Sequence, residues 1–178
     1  ESGLRPACPL PYQLYADGEL SNDKKSFELT LTAKNEIFGK QSSGSPFNVY
    51  IPGKYAAKNS PGFESAGSRS YAVVAGDSLT DSFPVQSFEN GIYHLQVHGP
   101  NGFFRELMGK ATDPAIAISC EYERQKTLVK KLTGNIELNI ANLNPNHNYT
   151  IEIRDNAYKN KPVQKVLGKG PLNIVLDL

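Results

Sequence analysis

The chain has 178 residues, 39% of them hydrophobic, with 19 Lys plus Arg against 18 Asp plus Glu and a formal net charge of +1. That is globular composition, enough for one larger or two small domains. The near balance of charge argues against the clustered basic face of a nucleic-acid binder, and no apolar run of about eighteen residues is present to span a membrane.

The opening ESGLRPACPLP holds no signal-peptide core, so the chain is expected to be cytoplasmic or the interior of a longer, exported protein. Trp is absent while Tyr, Phe, Thr and Val sit in short runs, which is strand composition. Tyr12, Leu14 and Ala16 alternate with other residues and stop at Asp17-Gly18, a strand followed by a turn. Phe27, Leu29, Leu31 and Ala33 give the cleanest alternation, and Phe47, Val49 and Ile51 give another strand ended by Pro52-Gly53. Gly39 to Pro46 lies between them as a Gly- and Ser-rich loop. Gly53 to Arg69 has no period and reads as a long mobile connection, either a functional loop or a tolerated surface insertion. Tyr71 to Val74 and Leu79 to Val85 then flank an Ala75-Gly76-Asp77 turn.

The next stretch, Gly91 to Gly109, organises the chain. Tyr93, Leu95 and Val97 alternate with His94, Gln96 and His98, and Phe103 to Met108 runs back as a second strand. Two turn parses are open for this hairpin. Pro100 can occupy the first central position with Gly102 at positive φ, or Asn101-Gly102 can itself be a two-residue loop. Tyr93 ahead of a tight hairpin also resembles the penultimate strand of an immunoglobulin-like sandwich, where the Tyr hydroxyl ties down the preceding corner.

About seven strands within ~100 residues fit an antiparallel Greek-key sandwich. Ala111-Thr112-Asp113-Pro114 is a polar break, and beyond it the pattern starts again. Ile116, Ile118 and Cys120 repeat the first strand. Ile136, Leu138 and Ile140 repeat the second, and Tyr149, Ile151 and Ile153 the third. Val163 to Leu167 and Leu172 to Leu178 follow, with no counterpart of GIYHLQVHGPNGF. The expected fold is all-β: two tandem immunoglobulin/fibronectin III-like antiparallel β-sandwiches, residues 9–110 and 114–178. The second lacks its final hairpin, so either the parent chain continues or another surface covers the exposed face.

Chemistry is sparse. His94 and His98 share a strand face roughly 13 Å apart, too far for one metal ion. His147 sits in a turn, and no metal site or other cofactor is expected. Asp77 and Asp81 read as solvated turn aspartates. Cys8 and Cys120 could form one bridge, but the period of two around Cys120 reads as a small buried apolar residue. Lys126, Lys130 and Lys131 with Leu128, Val129 and Leu132 read as a solvated linker to the next strand, with contact to an anionic surface as the alternative, and Asn148-Tyr149-Thr150 fits a glycosylation sequon.

Tyr12 to Gly18, Tyr71 to Asp81 and above all Tyr93-x-Leu-x-Val-His98-Gly99-Pro100-Asn101-Gly102-Phe103-x-Arg105 resemble the C-terminal repeat domain of bacterial phosphocholine-preferring phospholipases C. The resemblance covers about Pro9 to Gly109 and, more weakly, Pro114 to Leu178. It implies a parent enzyme, secreted or periplasmic, that hydrolyses phosphatidylcholine or sphingomyelin with a nucleophile in a separate catalytic domain. The expected partners are that catalytic domain and a phospholipid surface, and this chain is expected to be non-catalytic. The alternatives are a carbohydrate- or protein-binding sandwich and a small stand-alone enzyme. The expected binding residues are His98, Asn101, Phe103 and Arg105 at the hairpin tip, with Tyr93, Gly99, Pro100 and Gly102 structural. In the competing reading, Phe103 or Phe104 fills the end of the core and Gly99 to Gly102 is only a turn.

Overall fold

A computed structural model describes residues 10–56, 61–127 and 131–177. The described residues form twelve strands and four short 3-10 segments, so the protein is all-β. In the first half, β1 (Leu14–Leu20), β2 (Ser26–Ala33) and β5 (Asp77–Pro84) pair antiparallel in one sheet. Opposite them lie β4 (Glu64–Val73), β3 (Ser45–Tyr55), β6 (Ile92–His98) and β7 (Phe104–Lys110), hydrogen-bonded in the order β4-β3-β6-β7. The period-two residues of both sheets meet in one core. Phe27, Leu29 and Leu31 come from one side, and Phe47, Val49, Leu95 and Val97 from the other.

The second half does not start a separate sheet. Its β8 (Ile116–Arg124), β9 (Leu132–Asn142) and β12 (Leu172–Leu176) extend the first sheet to six strands, β12-β9-β8-β1-β2-β5. The two halves join where Gly18 pairs with Ile118. Side chains reinforce the seam. The Cys120 amide donates to Asp17 Oδ1 at 3.2 Å, Lys34 pairs with Glu121 at 2.9 Å, and Arg124 pairs with Glu36 at 2.8 Å. The remaining strands, β10 (Tyr149–Ile153) and β11 (Val163–Leu167), form a two-stranded sheet of their own.

Several local expectations change. Asp17-Gly18 lies inside β1 rather than in a turn, and the chain reverses later, where Lys24 takes a positive φ. The glycine is needed there because a Cβ on Gly18 would fall 2.6 Å from Cε1 of Phe27, whose ring covers it. The described residues of the aperiodic Gly53 to Arg69 stretch are mostly strand. β3 continues to Tyr55 across an irregular register between Ile51 and Lys54, and β4 begins at Glu64. At its start β4 is an exposed edge, so neither face selected apolar residues there. Asp81 is not a solvated turn residue but part of β5, ion-paired with Arg69. Cys8 and the Leu128–Lys130 part of the basic stretch lie outside the described residues.

Candidate functional site

The hairpin of β6 and β7 carries the residues singled out in the sequence. Its turn follows the second parse: Asn101 at φ 57° and Gly102 at φ 75° are both left-handed, as an Asn-Gly loop requires. The Phe103 amide donates to the Pro100 carbonyl at 3.2 Å, and the Gly99 amide donates to the Phe103 carbonyl at 2.9 Å. Proline has no amide to give, so the glycine before it closes the ladder. An added Cβ at Gly99 would stand 3.3 Å from Leu14 Cδ1 and 3.2 Å from Phe103 Cδ1, a tight fit that those side chains would have to ease by a few tenths of an ångström.

Tyr93 anchors the other end of β6. Its ring stacks on Phe27 with centroids 4.3 Å apart, and its hydroxyl lies beside Gly109 and the Asp113 carboxylate rather than at the preceding corner. Burial, helped by the Asp113 charge, pushes the phenol pKa up to about 12.

The four expected binding residues do not converge on one point. Phe103 turns inward and meets Phe47 edge-on at 5.9 Å, closing the end of the core. The Asn101 amide donates to the Leu10 carbonyl at 3.2 Å. Arg105 reaches toward the second half, with its guanidinium 5.1 Å over the Phe103 ring, one nitrogen on the Phe104 carbonyl at 2.9 Å and the other 3.4 Å from Cys120 Sγ. These three do line one groove of about 310 Å³, together with Tyr12, Tyr122 and Ile136. Burial raises the Cys120 thiol pKa even with Arg105 beside it, so the thiol is not primed as a nucleophile.

His98 points the other way, onto the outer face of the β4-β3-β6-β7 sheet. There it sits between Tyr50, edge-on at 5.3 Å, and Phe104, at 5.0 Å. The register explains the grouping, since His98 pairs with Asn48 and Phe104, and Tyr50 pairs with Gln96. The next positions on the same face hold a polar trio, in which Glu106 accepts from Gln96 at 2.8 Å and sits 2.8 Å from His94. Beyond them are Met108 and Ile92. Tyr50, Phe104, Met108 and Ile92 are 46%, 42%, 68% and 47% exposed. Sequence reasoning singled out His98 but not the face around it, because Tyr50, Phe104, Met108 and Ile92 stand at out-facing positions of strands read for their inward residues. The signal was available as large apolar side chains on the face that alternation assigns to water.

Among the described residues, no three His, Cys, Asp or Glu side chains gather as metal ligands. A larger groove of about 530 Å³ follows the seam of the six-stranded sheet, but Asp17, Glu19 and Glu28 line it, the wrong sign for a phosphate.

A family model described as "Bacterial phospholipase C, C-terminal domain" matches residues 6–110. A hemolytic phospholipase C of Pseudomonas aeruginosa is 31% identical over 93% of this chain and 24% of its own length. A non-hemolytic phospholipase C of the same organism is 28% identical over 89% of this chain and 20% of its own length. A non-hemolytic phospholipase C of Burkholderia pseudomallei is 30% identical over 69% of this chain and 15% of its own. The chain therefore spans a quarter or less of these relatives. No solved structure matches it at comparable significance.

Proposed function

This chain belongs to the bacterial phospholipase C C-terminal domain family, and we propose that it is a non-catalytic accessory module that packs on the catalytic part of a secreted phospholipase C. The carrying observation is the outer face of the β4-β3-β6-β7 sheet, where Tyr50, His98 and Phe104 stack in the open with Met108 and Ile92 alongside. Aromatic and methionine side chains grouped on the outer face of β3, β6 and the edge strand β7, with a polar trio among them, have the composition of a protein-docking surface. The substrate chemistry, hydrolysis of phosphatidylcholine or sphingomyelin, belongs on this reading to the rest of the parent enzyme.

Two measurements test this. The purified chain is expected to release no phosphocholine from phosphatidylcholine vesicles, and turnover above buffer would overturn the non-catalytic reading. In the parent phospholipase, Tyr50→Ser/Phe104→Ser/Met108→Ser is expected to uncouple the melting of the C-terminal part from that of the catalytic part. It should leave the melting of the isolated chain within about 1 kcal/mol of wild type, because the three side chains are exposed. A parent that melts as before would mean the face is not the docking surface.

A second reading has one observation in its favour: Asn101, Phe103 and Arg105 share a groove with Tyr12 and Tyr122, donors and aromatics suited to a phosphate headgroup and its acyl edge. The Asn101 amide and the Arg105 guanidinium are already bonded within the chain, which favours docking. Vesicle sedimentation of Asn101→Ala/Arg105→Ala decides between them. No change is expected, whereas a clear loss of lipid binding would favour the headgroup reading.

A further inference from the structure

The two halves of the chain repeat one arrangement up to a point. In the first, β1, β2 and β5 are neighbours in one sheet while β3 and β4 pair in the other. In the second, β8, β9 and β12 are neighbours in the same relative order, while β10 and β11 pair separately. The corresponding first strands, β1 and β8, pair with each other antiparallel, which relates the halves by an approximate two-fold rotation. That rotation is perpendicular to the shared sheet, so both halves turn the same side of it inward. Gly18, under the Phe27 ring, pairs with Ile118, and from Ile118 the same parity runs through Ile140 and Leu138 to Leu172 and Ile174.

The correspondence stops at β6 and β7. In the first half, β3 carries β4 on one edge and β6 on the other, paired at Asn48–His98, Val49–Val97 and Tyr50–Gln96. Among the described residues, β10 pairs only with β11. The inward side chains record the difference. Phe47, Val49 and Ile51 of β3 are at most 1% exposed. Their counterparts Tyr149, Ile151 and Ile153 are only half-buried. Ile118 and Tyr122, on the inward side of the six-stranded sheet, are 42% and 39% exposed, and among the described residues of the half Ile140 and Leu167 are the fully buried side chains.

We infer that the edge of β10 left unpaired among the described residues and the apolar face over Ile118, Tyr122, Ile136 and Leu138 receive a β-hairpin from elsewhere in the same polypeptide, added antiparallel to β10 as β6 is added to β3. The first half is the template for the occupant: one strand of alternating aromatic and aliphatic residues, a tight turn, and a return strand. A same-chain source is favoured because the relatives that this chain matches are about four times its length or more, so a hairpin in such a polypeptide meets the edge at high effective concentration. Strand addition supplies main-chain bonds to an edge that would otherwise invite intermolecular pairing, and burial of the half-exposed face adds the hydrophobic share. The inference rests on the chain being part of a longer phospholipase, but not on which face docks to the catalytic part.

Hydrogen exchange compared between the 178-residue chain and the full-length parent tests it. Amides of Thr150 to Glu152 are expected to exchange at least about tenfold more slowly in the parent, while those of Asn48 to Tyr50 are protected in both. Equal exchange of β10 in the two proteins would overturn the inference. So would β10 protection that appears in the isolated chain with rising concentration alongside a dimer in sedimentation, because the occupant would then be a second copy. Ile118→Asp supplies the variant. It is expected to abolish the extra protection in the parent while changing the melting of the isolated chain little, and a parent unaffected by it would count equally against the proposal. The Tyr50→Ser/Phe104→Ser/Met108→Ser parent should keep β10 protected, which separates failure of this inference from failure of the docking face.

Discussion

A Phe27→Ala chain is expected to unfold in urea with a loss of about 3–5 kcal/mol, a large share of the 5–15 kcal/mol that holds a typical domain together. Phe27 is 3% exposed and stands in a column of four residues from four strands. Gly18 of β1 lies against one side of its ring, Tyr93 of β6 stacks 4.3 Å away on the other, and Gly109 of β7 lies beyond Tyr93. Each glycine is a place where an aromatic from the neighbouring strand covers the backbone, so the rings span both sheets. A Cβ on Gly18 would come within 2.6 Å of Phe27 Cε1, and one on Gly109 within 2.7 Å of Tyr93 Cζ. Gly18→Ala alone should therefore cost about 1–3 kcal/mol through overpacking. In the Phe27→Ala background the obstructing ring is gone, and the Gly18→Ala cost should largely vanish. Equal costs for Gly18→Ala in both backgrounds would show that the ring does not set the requirement for glycine.

That column explains where the sequence was legible and where it was not. Alternation in Phe27 to Ala33 or Tyr93 to Val97 reports which side chains share a face, because the pleat imposes a period of two, and those strands appear where the pattern puts them. Asp17-Gly18 has turn composition, yet Gly18 answers to a ring on the next strand, a contact no local pattern contains. The continuous sheet was equally hidden, since the halves meet through one register pair, Gly18 with Ile118, the Tyr15–Tyr122 aromatic contact, and polar ties more than eighty residues apart in sequence, such as Lys34–Glu121 and Arg124–Glu36. Of the candidate site, the Asn101-Gly102 turn was readable from turn chemistry. The division of its neighbours was not. Phe103 and Arg105 have the same parity and face the core side, whereas His98 and Phe104 face outward, so one tip serves two surfaces. Asp81 is the instructive miss, because it falls in step with Leu79 and Phe83, both of which pair toward the core, and period two already placed it inside.

Asp81→Asn is accordingly expected to destabilise the chain by about 2–3 kcal/mol at neutral pH, the scale of hydrogen bonds to a charged group lost from a partly buried site. Asp81 on β5 accepts from Arg69 Nη1 of β4 at 2.6 Å and from the Tyr71 hydroxyl, and Arg69 Nη2 donates to the Tyr55 hydroxyl at 2.7 Å. The guanidinium lies 4.2 Å over the Phe83 ring. β4 and β5 are edge strands of opposite sheets, so this network latches the open side of the first sandwich; the other side is extended by β8. Arg69 and Asp81 remain 32% and 31% exposed, which keeps the expected cost below the 3–5 kcal/mol typical of a broken, fully buried pair. Burial alone would raise the Asp81 pKa, but the Tyr71 and Arg69 hydrogen bonds outweigh it and hold the carboxyl below the ordinary aspartate value. A depressed folded-state pKa stabilises the fold above the unfolded value near 3.8, and that contribution disappears as pH falls through the folded value. Tyr71 supplies the opposite limb. Burial first, then the Asp81 carboxylate, raise its pKa well above 10.0, so its share is intact below that pH and fades as pH rises past it. Urea midpoints measured from pH 7 downward should show a shallower acid decline in Asp81→Asn than in wild type, and those measured from pH 7 upward past 10.0 should show part of the alkaline decline removed in Tyr71→Phe. If the acid limbs superimpose, the charge of Asp81 contributes nothing to the latch, and β4 and β5 are held together by the packing of Arg69 on Phe83.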